Sequence, residues 1–317
     1  MSPGSKNRYD TTGQRRLDTR ESNLRMRARM IQSIRRFFIN HGYLEIDTPN
    51  LIHSPAPEVY INAIRTSHGF LHTSPELCMK RLLSAGYTMI FQICKCYREG
   101  ERGKLHLPEF TLLEWYRVGA DYMGLMDECE EMIQFVAAEI GLGGEAEYAG
   151  NTIDLQGLWA RITVKEAFKR YSTLSMEDAL ESERFDEIMV LEIEPGLTRS
   201  KPTFLYDYPS SFSALARLKE GNPDLAERFE LYIGGLELAN AFSELTDAHE
   251  QEERFKRARD RRKQLGKTDY PFPTKFIKDL YRMPASAGIA FGVDRLVMLF
   301  TDASRIDDVV SFTPEEL

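Results

Sequence analysis

Hydrophobic and polar positions change period several times along the chain, and each change marks an element. Leu24, Ala28, Ile31, Ile34 and Phe38 fall on one helical stripe, and Gly42 follows as a stop. Tyr43 to Pro49 reads as a strand closed by proline, 53–68 as a loop with two prolines, and Phe70 to Thr73 as a short strand. Ser74-Pro75-Glu76 opens a helix running to Gly86, with Ser74 as the N-cap and Pro75 at the first helical position. Alternation with period two returns from Phe91 to Arg117. Phe91, Ile93 and Lys95 alternate with Gln92, Cys94 and Cys96 in the first arm, and Phe110, Leu112, Glu114 and Tyr116 share one face of the second. The intervening loop supplies Arg98, Arg102, Lys104 and His106, with Gly100 and Gly103 to let it bend. A face that sets Glu114 and Tyr116 beside Phe110 is the floor of a polar pocket rather than a plain core.

Helical spacing resumes from Asp121 to Gly141, while 145–199 is weakly patterned: a strand near Thr152 to Leu155, a helix from Thr163 to Tyr171 and an acidic helix over Met176 to Met189. A strand at Phe204 to Asp207 precedes a second hairpin, Glu230 to Glu244, turning at Gly234-Gly235. Pairing Ile233 with Leu236 sets Tyr232 against Glu237 and Glu230 against Ala239, so Glu230 and Glu237 lie diagonally on one face. Two such carboxylates suit Mg²⁺, which prefers oxygen ligands, and the row extends to Asn240 and Phe242. Glu250 to Gly266 reads as a solvated charged helix, acids first and bases later. Ser286 to Gly292 is a strand that turns into an apolar helix, with Gly288, Ala290 and Gly292 along it. Arg295 sits in the first helical turn, where backbone amides favour anions.

Composition narrows the field. The chain has 317 residues, 42% hydrophobic, and a net charge of -8, which argues against a protein that coats nucleic acid with its whole surface. The four cysteines form no C-x-x-C pair and have no partnering histidine pattern, so neither a zinc site nor a disulfide framework is expected, and a reducing cytoplasm fits. No apolar run reaches the length of a membrane span. Residues 1–23 form a polar, basic arm, open to reading as a contact for an acidic partner or as a solvated terminus.

Taken together, the segments Leu24 to Pro49, Phe91 to Arg117 and Gly288 to Phe300, with Ser-Pro-Glu and GLELANAFSELTDA, resemble the three motifs and amino-acid pocket of a class II aminoacyl-tRNA synthetase core of the lysyl type. The resemblance implies an α+β catalytic domain over 24–317, an antiparallel sheet flanked by helices, and a homodimer. Two features favour the shortened relatives that join (R)-β-lysine to a lysine of elongation factor P instead of charging tRNA. Few residues precede the first motif, leaving no room for an anticodon-binding barrel, and Ser74 and Ala290 stand where synthetases usually carry alanine and glycine. By resemblance, Arg98 would grip the α-phosphate of ATP, while His106 and Arg295 would hold its distal phosphates. Phe110 would stack on adenine, with Glu99, Gly100, Leu238 and Gly292 also around the nucleotide. Glu230 and Glu237 would bind Mg²⁺, Glu76 and Glu114 would place the amine nearer the carboxylate, Tyr116 and Glu244 would hold the terminal ammonium, and Asn240 would contact the carboxylate. Gly100 replaces a usual glutamate, Leu107 an asparagine and Ala241 a glycine, which loosens the nucleotide contacts more than the catalytic ones. The alternatives are a truncated synthetase-like enzyme that activates α-lysine for another acceptor and a catalytically silent binding module.

Overall fold

The computed structural model describes residues 11–317, with side chains from Arg20 onward. Its centre is a nine-stranded sheet. Eight strands are β1 (Leu44–Glu45), β2 (Met89–Tyr97), β3 (Glu109–Val118), β4 (Ala160–Thr163), β5 (Thr203–Pro209), β6 (Asn222–Ile233), β7 (Leu236–Ser243) and β8 (Ser286–Gly292). They lie in the order β1-β2-β3-β8-β7-β6-β5-β4, and the two-residue strand Leu218–Lys219 pairs with β6. β1 with β2 and β4 with β5 are parallel, and the other pairs are antiparallel. Five helices matter to the site: α1 (Thr11–Asn40), α2 (Glu76–Ser84), α3 (Tyr122–Ile140), α4 (Ala248–Gln264) and α5 (Val293–Phe300).

Alternation along β3 separates the two faces of the sheet. Leu113 and Trp115 point into the core built with Phe37 and Phe38 of α1, Ile133 of α3 and Val297 of α5. Tyr116 points the other way, against Met79 of α2 and Phe255 of α4. Burying a side chain as large as Trp115 contributes about 1.5–3 kcal/mol, and its indole N–H is satisfied by Glu128 Oε2 at 2.8 Å. The same carboxylate accepts from Tyr43 at 2.7 Å and pairs with Arg117 at 3.1 Å, so a buried charge is compensated on three sides.

Several elements depart from the pattern reading. Helix α1 begins at Thr11, well before Leu24, and residues 1–10 of the basic arm lie outside the described residues. Its early turns lack an apolar stripe because a polar contact anchors them: buried Arg20 donates to Glu316 at 2.9 and 3.1 Å. Arg27 likewise reaches Asp294 at 2.5 Å and Thr111 Oγ1 at 2.7 Å. The strand expected over Tyr43 to Pro49 shrinks to β1, because only its start meets β2. The acidic helix over Met176 to Met189 breaks into Met176–Glu181 and Phe185–Ile188, with Glu183 in the left-handed region (φ 55°) between them. Helix α4 is not a solvated face. Arg254 and Arg262 are buried, donating to the carbonyls of Ser213 and Ala216 and of Glu58 and Ile61 respectively.

The second hairpin turns at Gly234 and Gly235 with φ of 61° and 86°, the two-residue turn its sequence predicts. Its ladder pairs Ile233 with Leu236 and Tyr232 with Glu237, but then slips by one residue, so that Leu231 faces Ala239 and Glu230 faces Asn240 rather than Ala239. The slip is a β-bulge at Leu238, just before the stretch of β7 that pairs with β8 from Ala239 onward.

Candidate active site

The site is a transverse row across five strands. Cα partners run Gln92 (β2) to Glu114 (β3) to Ala290 (β8) to Asn240 (β7) to Glu230 (β6), and a parallel row runs Ile90, Tyr116, Gly288, Phe242, Arg228. Directly opposed residues share a sheet face, so the registers alone gather Glu114, Ala290, Asn240 and Glu230 on one surface.

One end of this surface is dense in carboxylates. Ser74 Oγ donates to Glu114 Oε2 at 2.9 Å and accepts from the backbone N–H of Glu76 at 3.0 Å; helix α2 starts at Glu76, so Ser74 caps it from one residue further out than expected. Tyr116 donates to Glu114 Oε1 at 2.5 Å. Lys80, buried one helical turn beyond Glu76, pairs with Glu76 and with Glu244, the latter at 2.5 Å. Burial would pull Lys80 down, but its two carboxylates win and hold it raised and charged. Glu244 shares that cation with Glu76, so burial still pushes it up to about 8. Burial and the neighbouring Glu76 likewise raise Glu114 well above the carboxylate range. Tyr116 and Glu244, expected to hold the terminal ammonium, both approach Gly288; Tyr116 is bonded to Glu114, and Glu244 is paired with Lys80. Glu114, Tyr116 and Glu244 are 2%, 2% and 1% exposed, so this end is closed, with the protein's own ammonium inside it.

The other end is open. A cavity of about 350 Å³ is lined by Arg98, His106, Phe110, Glu237, Leu238 and Arg295, and reaches Glu230, Asn240, Ala290 and Gly292. The Arg98 guanidinium lies 4.9 Å over the Phe110 ring, its Nε is buried without a hydrogen-bond partner, and its ion pair with Glu101 is long at 3.7 Å. An arginine so under-used fits a phosphate. Arg295 donates to the Glu237 carbonyl at 2.6 Å, pairs with its carboxylate at 3.3 Å and reaches His106 Nε2 at 2.7 Å. That contact needs a lone pair on Nε2, in keeping with a His106 held below its ordinary value by burial and by Arg295. Glu101 lines the cavity, whereas Glu99 and Gly100 do not, because Gly100 turns with φ 79° and the backbone of Glu99 is tied to Asn62.

Glu230 is buried and engaged by Arg228 at 2.5 Å, Tyr208 at 2.6 Å and Tyr232 at 2.7 Å. Burial raises it, and Glu237 raises it further. Glu194, from the weakly patterned segment, lies 3.4 Å from the Tyr232 hydroxyl that also donates to Glu230, and is pushed up to about 7 by burial and then by Glu230 and Glu237. Carboxylates raised in this way, beside Glu237, are oxygen donors of the kind that suit a hard divalent cation such as Mg²⁺.

Sequence reading missed Lys80, Arg228 and Glu194 as parts of the site. Lys80 carries a local signal, standing i+4 from Glu76, and Arg228 stands two residues from Glu230 on the same strand face. Glu194 carries none, since only the packing of its short helices brings it in. Glu58 was missed too: it lines both this cavity and a second one of about 450 Å³ beside α2, and burial and Glu76 push it up to about 7.

The chain matches the family described as tRNA synthetases class II (D, K and N) over residues 5–316. It is 36% identical to the elongation factor P--(R)-beta-lysine ligase of Vibrio vulnificus, over 91% of this chain and 94% of that protein. It is 38% identical to the ligase of the same name from Hamiltonella defensa, over 93% and 95%. With the lysine--tRNA ligase of Moorella thermoacetica it shares 37% identity over 90% of this chain but 64% of that protein. Sheet order, hairpin arginine, glycine-framed strand and this extended match agree, and the protein belongs to the class II tRNA synthetases of the D, K and N type.

Proposed function

We propose that this protein activates (R)-β-lysine with ATP and transfers the acyl group to a lysine ε-amine of elongation factor P. The observation that carries the reading is Ala290, placed in register between Glu114 and Asn240, with Ser74 bonded to Glu114. The Ala290 methyl fills space at the point where an amine must be told apart from its neighbour one carbon away. A methyl-sized change is worth about 1–3 kcal/mol of discrimination. Relatives named for this activity match nearly end to end, which supports the same conclusion.

In the first step the amino-acid carboxylate attacks the α-phosphorus of ATP in line, giving an acyl-adenylate and pyrophosphate. Arg98 neutralises the α-phosphate from beside the adenine-stacking Phe110, and Arg295 with neutral His106 holds the distal phosphates; positioning and charge stabilisation supply the rate. Glu230 and Glu237, with Glu194 near them, would hold Mg²⁺, which when bound offsets phosphate charge. Glu76, Glu114 and Glu244 attract the substrate's ammonium groups, with Glu244 at the distal end of the pocket. In the second step the acceptor amine attacks the acyl carbon and AMP leaves.

A homodimer formed along the first-motif segment is part of the proposal, supported by exposed Ile39, Leu44 and Leu51 there. We place the reaction in the cytoplasm, on a protein and not a tRNA acceptor; among the described residues no helix is long and apolar enough to cross a membrane. The test is intact-mass analysis of elongation factor P after incubation with this protein, ATP and each lysine isomer. One added lysyl mass, faster with (R)-β-lysine, is expected. Preferential charging of tRNA, or equal use of α-lysine, would overturn the reading.

A further inference from the structure

Cys94 and Cys96, read from spacing alone, belong to no metal motif. The fold supplies the missing ligand. As alternate residues of β2 the two share a face, with Sγ atoms 3.9 Å apart. The segment after the short strand Gly69–Leu71 crosses β2 there, Tyr97 N–H donating to the His72 carbonyl at 3.0 Å and His72 Nε2 donating to the Lys95 carbonyl at 2.7 Å. That second bond puts the ring proton on Nε2 and leaves the Nδ1 lone pair free, the way a backbone carbonyl orients a metal-binding histidine. A ring nitrogen of His72 and both sulfurs lie within 4.8 Å of one another. Two thiolates on a tetrahedral zinc ion, each at about 2.3 Å, stand about 3.8 Å apart, so the sulfur pair already has the required spacing. His72 and Cys96 are 1% and 0% exposed and Cys94 is half-buried, while His72 also lines the 450 Å³ cavity, which gives an ion a way in.

We propose that His72, Cys94 and Cys96 form a three-ligand site for a thiophilic divalent cation, Zn²⁺, separate from the carboxylates that suit Mg²⁺. Binding releases the two thiol protons and leaves the fourth tetrahedral position to water. Mg²⁺, which requires oxygen ligands, does not compete. The ion ties the segment leading into Ser74 and Glu76 to the strand that ends next to Arg98, linking the amine-binding and phosphate-binding ends of the active site.

The test uses the full chain, reduced and stripped of metal with a chelator, then titrated anaerobically with Co²⁺ and afterwards with Zn²⁺. One equivalent of Co²⁺ is expected to give sulfur-to-cobalt charge-transfer absorption and the intense visible bands of a tetrahedral site, displaced by Zn²⁺ and not by Mg²⁺. Cys94→Ser and Cys96→Ser should each weaken binding about 100-fold or more. Cys94→Ser, at the half-buried position, is the milder variant, and melts without metal establish that each variant folds; the unmodified chain alone should melt higher with Zn²⁺. Absence of binding by the unmodified chain, octahedral cobalt spectra, or tetrahedral bands that survive in both serine variants would overturn the proposal. The absorption reads the site whether or not the chain ligates β-lysine.

Discussion

Gly288 is the tightest point of the active site. In β8 it passes between Tyr116 and Phe242, and a Cβ added there would lie 2.2 Å from Tyr116 Cε1 and 2.5 Å from both Tyr116 Cδ1 and Glu244 Oε1. Carbon atoms settle about 3.5–4.0 Å apart, so Gly288→Ala forces the buried tyrosine ring back by more than about 1 Å, into the cluster that it shares with Met79 and Phe255. Overpacking of this kind costs about 1–3 kcal/mol. The ring carries its hydroxyl away from Glu114 as it moves, and a misplacement of about 1 Å in the binding groups costs about 100-fold in rate. We therefore expect urea unfolding to show a loss of about 1–3 kcal/mol and lysine-dependent ATP–pyrophosphate exchange to fall about 100-fold. Gly292→Ala is the stability control, because its nearest neighbours would be an ordinary 3.7 to 3.9 Å away; its unfolding should stay within about 1 kcal/mol of the parent. A Gly288→Ala protein with unchanged unfolding and an unchanged KM for the amino acid would refute the reasoning.

Ala290→Gly removes the methyl between Glu114 and Asn240 and should shift the ratio of kcat/KM toward α-lysine by about 10- to 200-fold, measured by exchange with each isomer; an unaltered ratio would remove Ala290 from the specificity argument. Amino-acid binding should also be linked to protons. Burial pushes Glu244 up to about 8 in spite of its ion pair with Lys80, so a fraction of the free protein carries a proton on this carboxyl at neutral pH, whereas an ammonium ligand binds the carboxylate. Binding then releases a proton, and affinity rises with pH up to about 8, by as much as about 10-fold per pH unit. Calorimetry in two buffers of different ionisation enthalpy counts that proton, and finding none released near neutral pH would contradict the assignment.

Much of this was legible because the site is built on alternation. Phe110, Glu114 and Tyr116 announce a polar face by period two, and Gly234-Gly235 fixes a hairpin whichever fold surrounds it. The ladder beyond that turn was not legible, since no local spacing marks the bulge at Leu238, which shifts the pairing of Glu230 from Ala239 to Asn240. Lys80 reads as one more helical lysine until the fold brings Glu244 to it from a distant strand. His72 escapes notice for the same reason: its partners Cys94 and Cys96 are reached through a crossing segment and not through a local spacing. The segment 145–199 has short helices whose stability comes from Phe168 stacking on Phe185 and Phe185 packing against Phe212, a cluster that no local window displays.

The pairing of Arg20 with Glu316 has a consequence for how the protein is made. The two residues are 296 positions apart, and a ribosome adds about 5–20 residues per second, so Arg20 waits roughly 15–60 s for its acceptor. Arg27 waits nearly as long for Asp294, which adjoins Arg295 of the candidate site. During that interval the first helix lacks the two carboxylates that anchor Arg20 and Arg27. Completion of the site is thus a late event in synthesis, since Asp294 and Glu316 must both leave the exit tunnel before they can fold back onto the first helix.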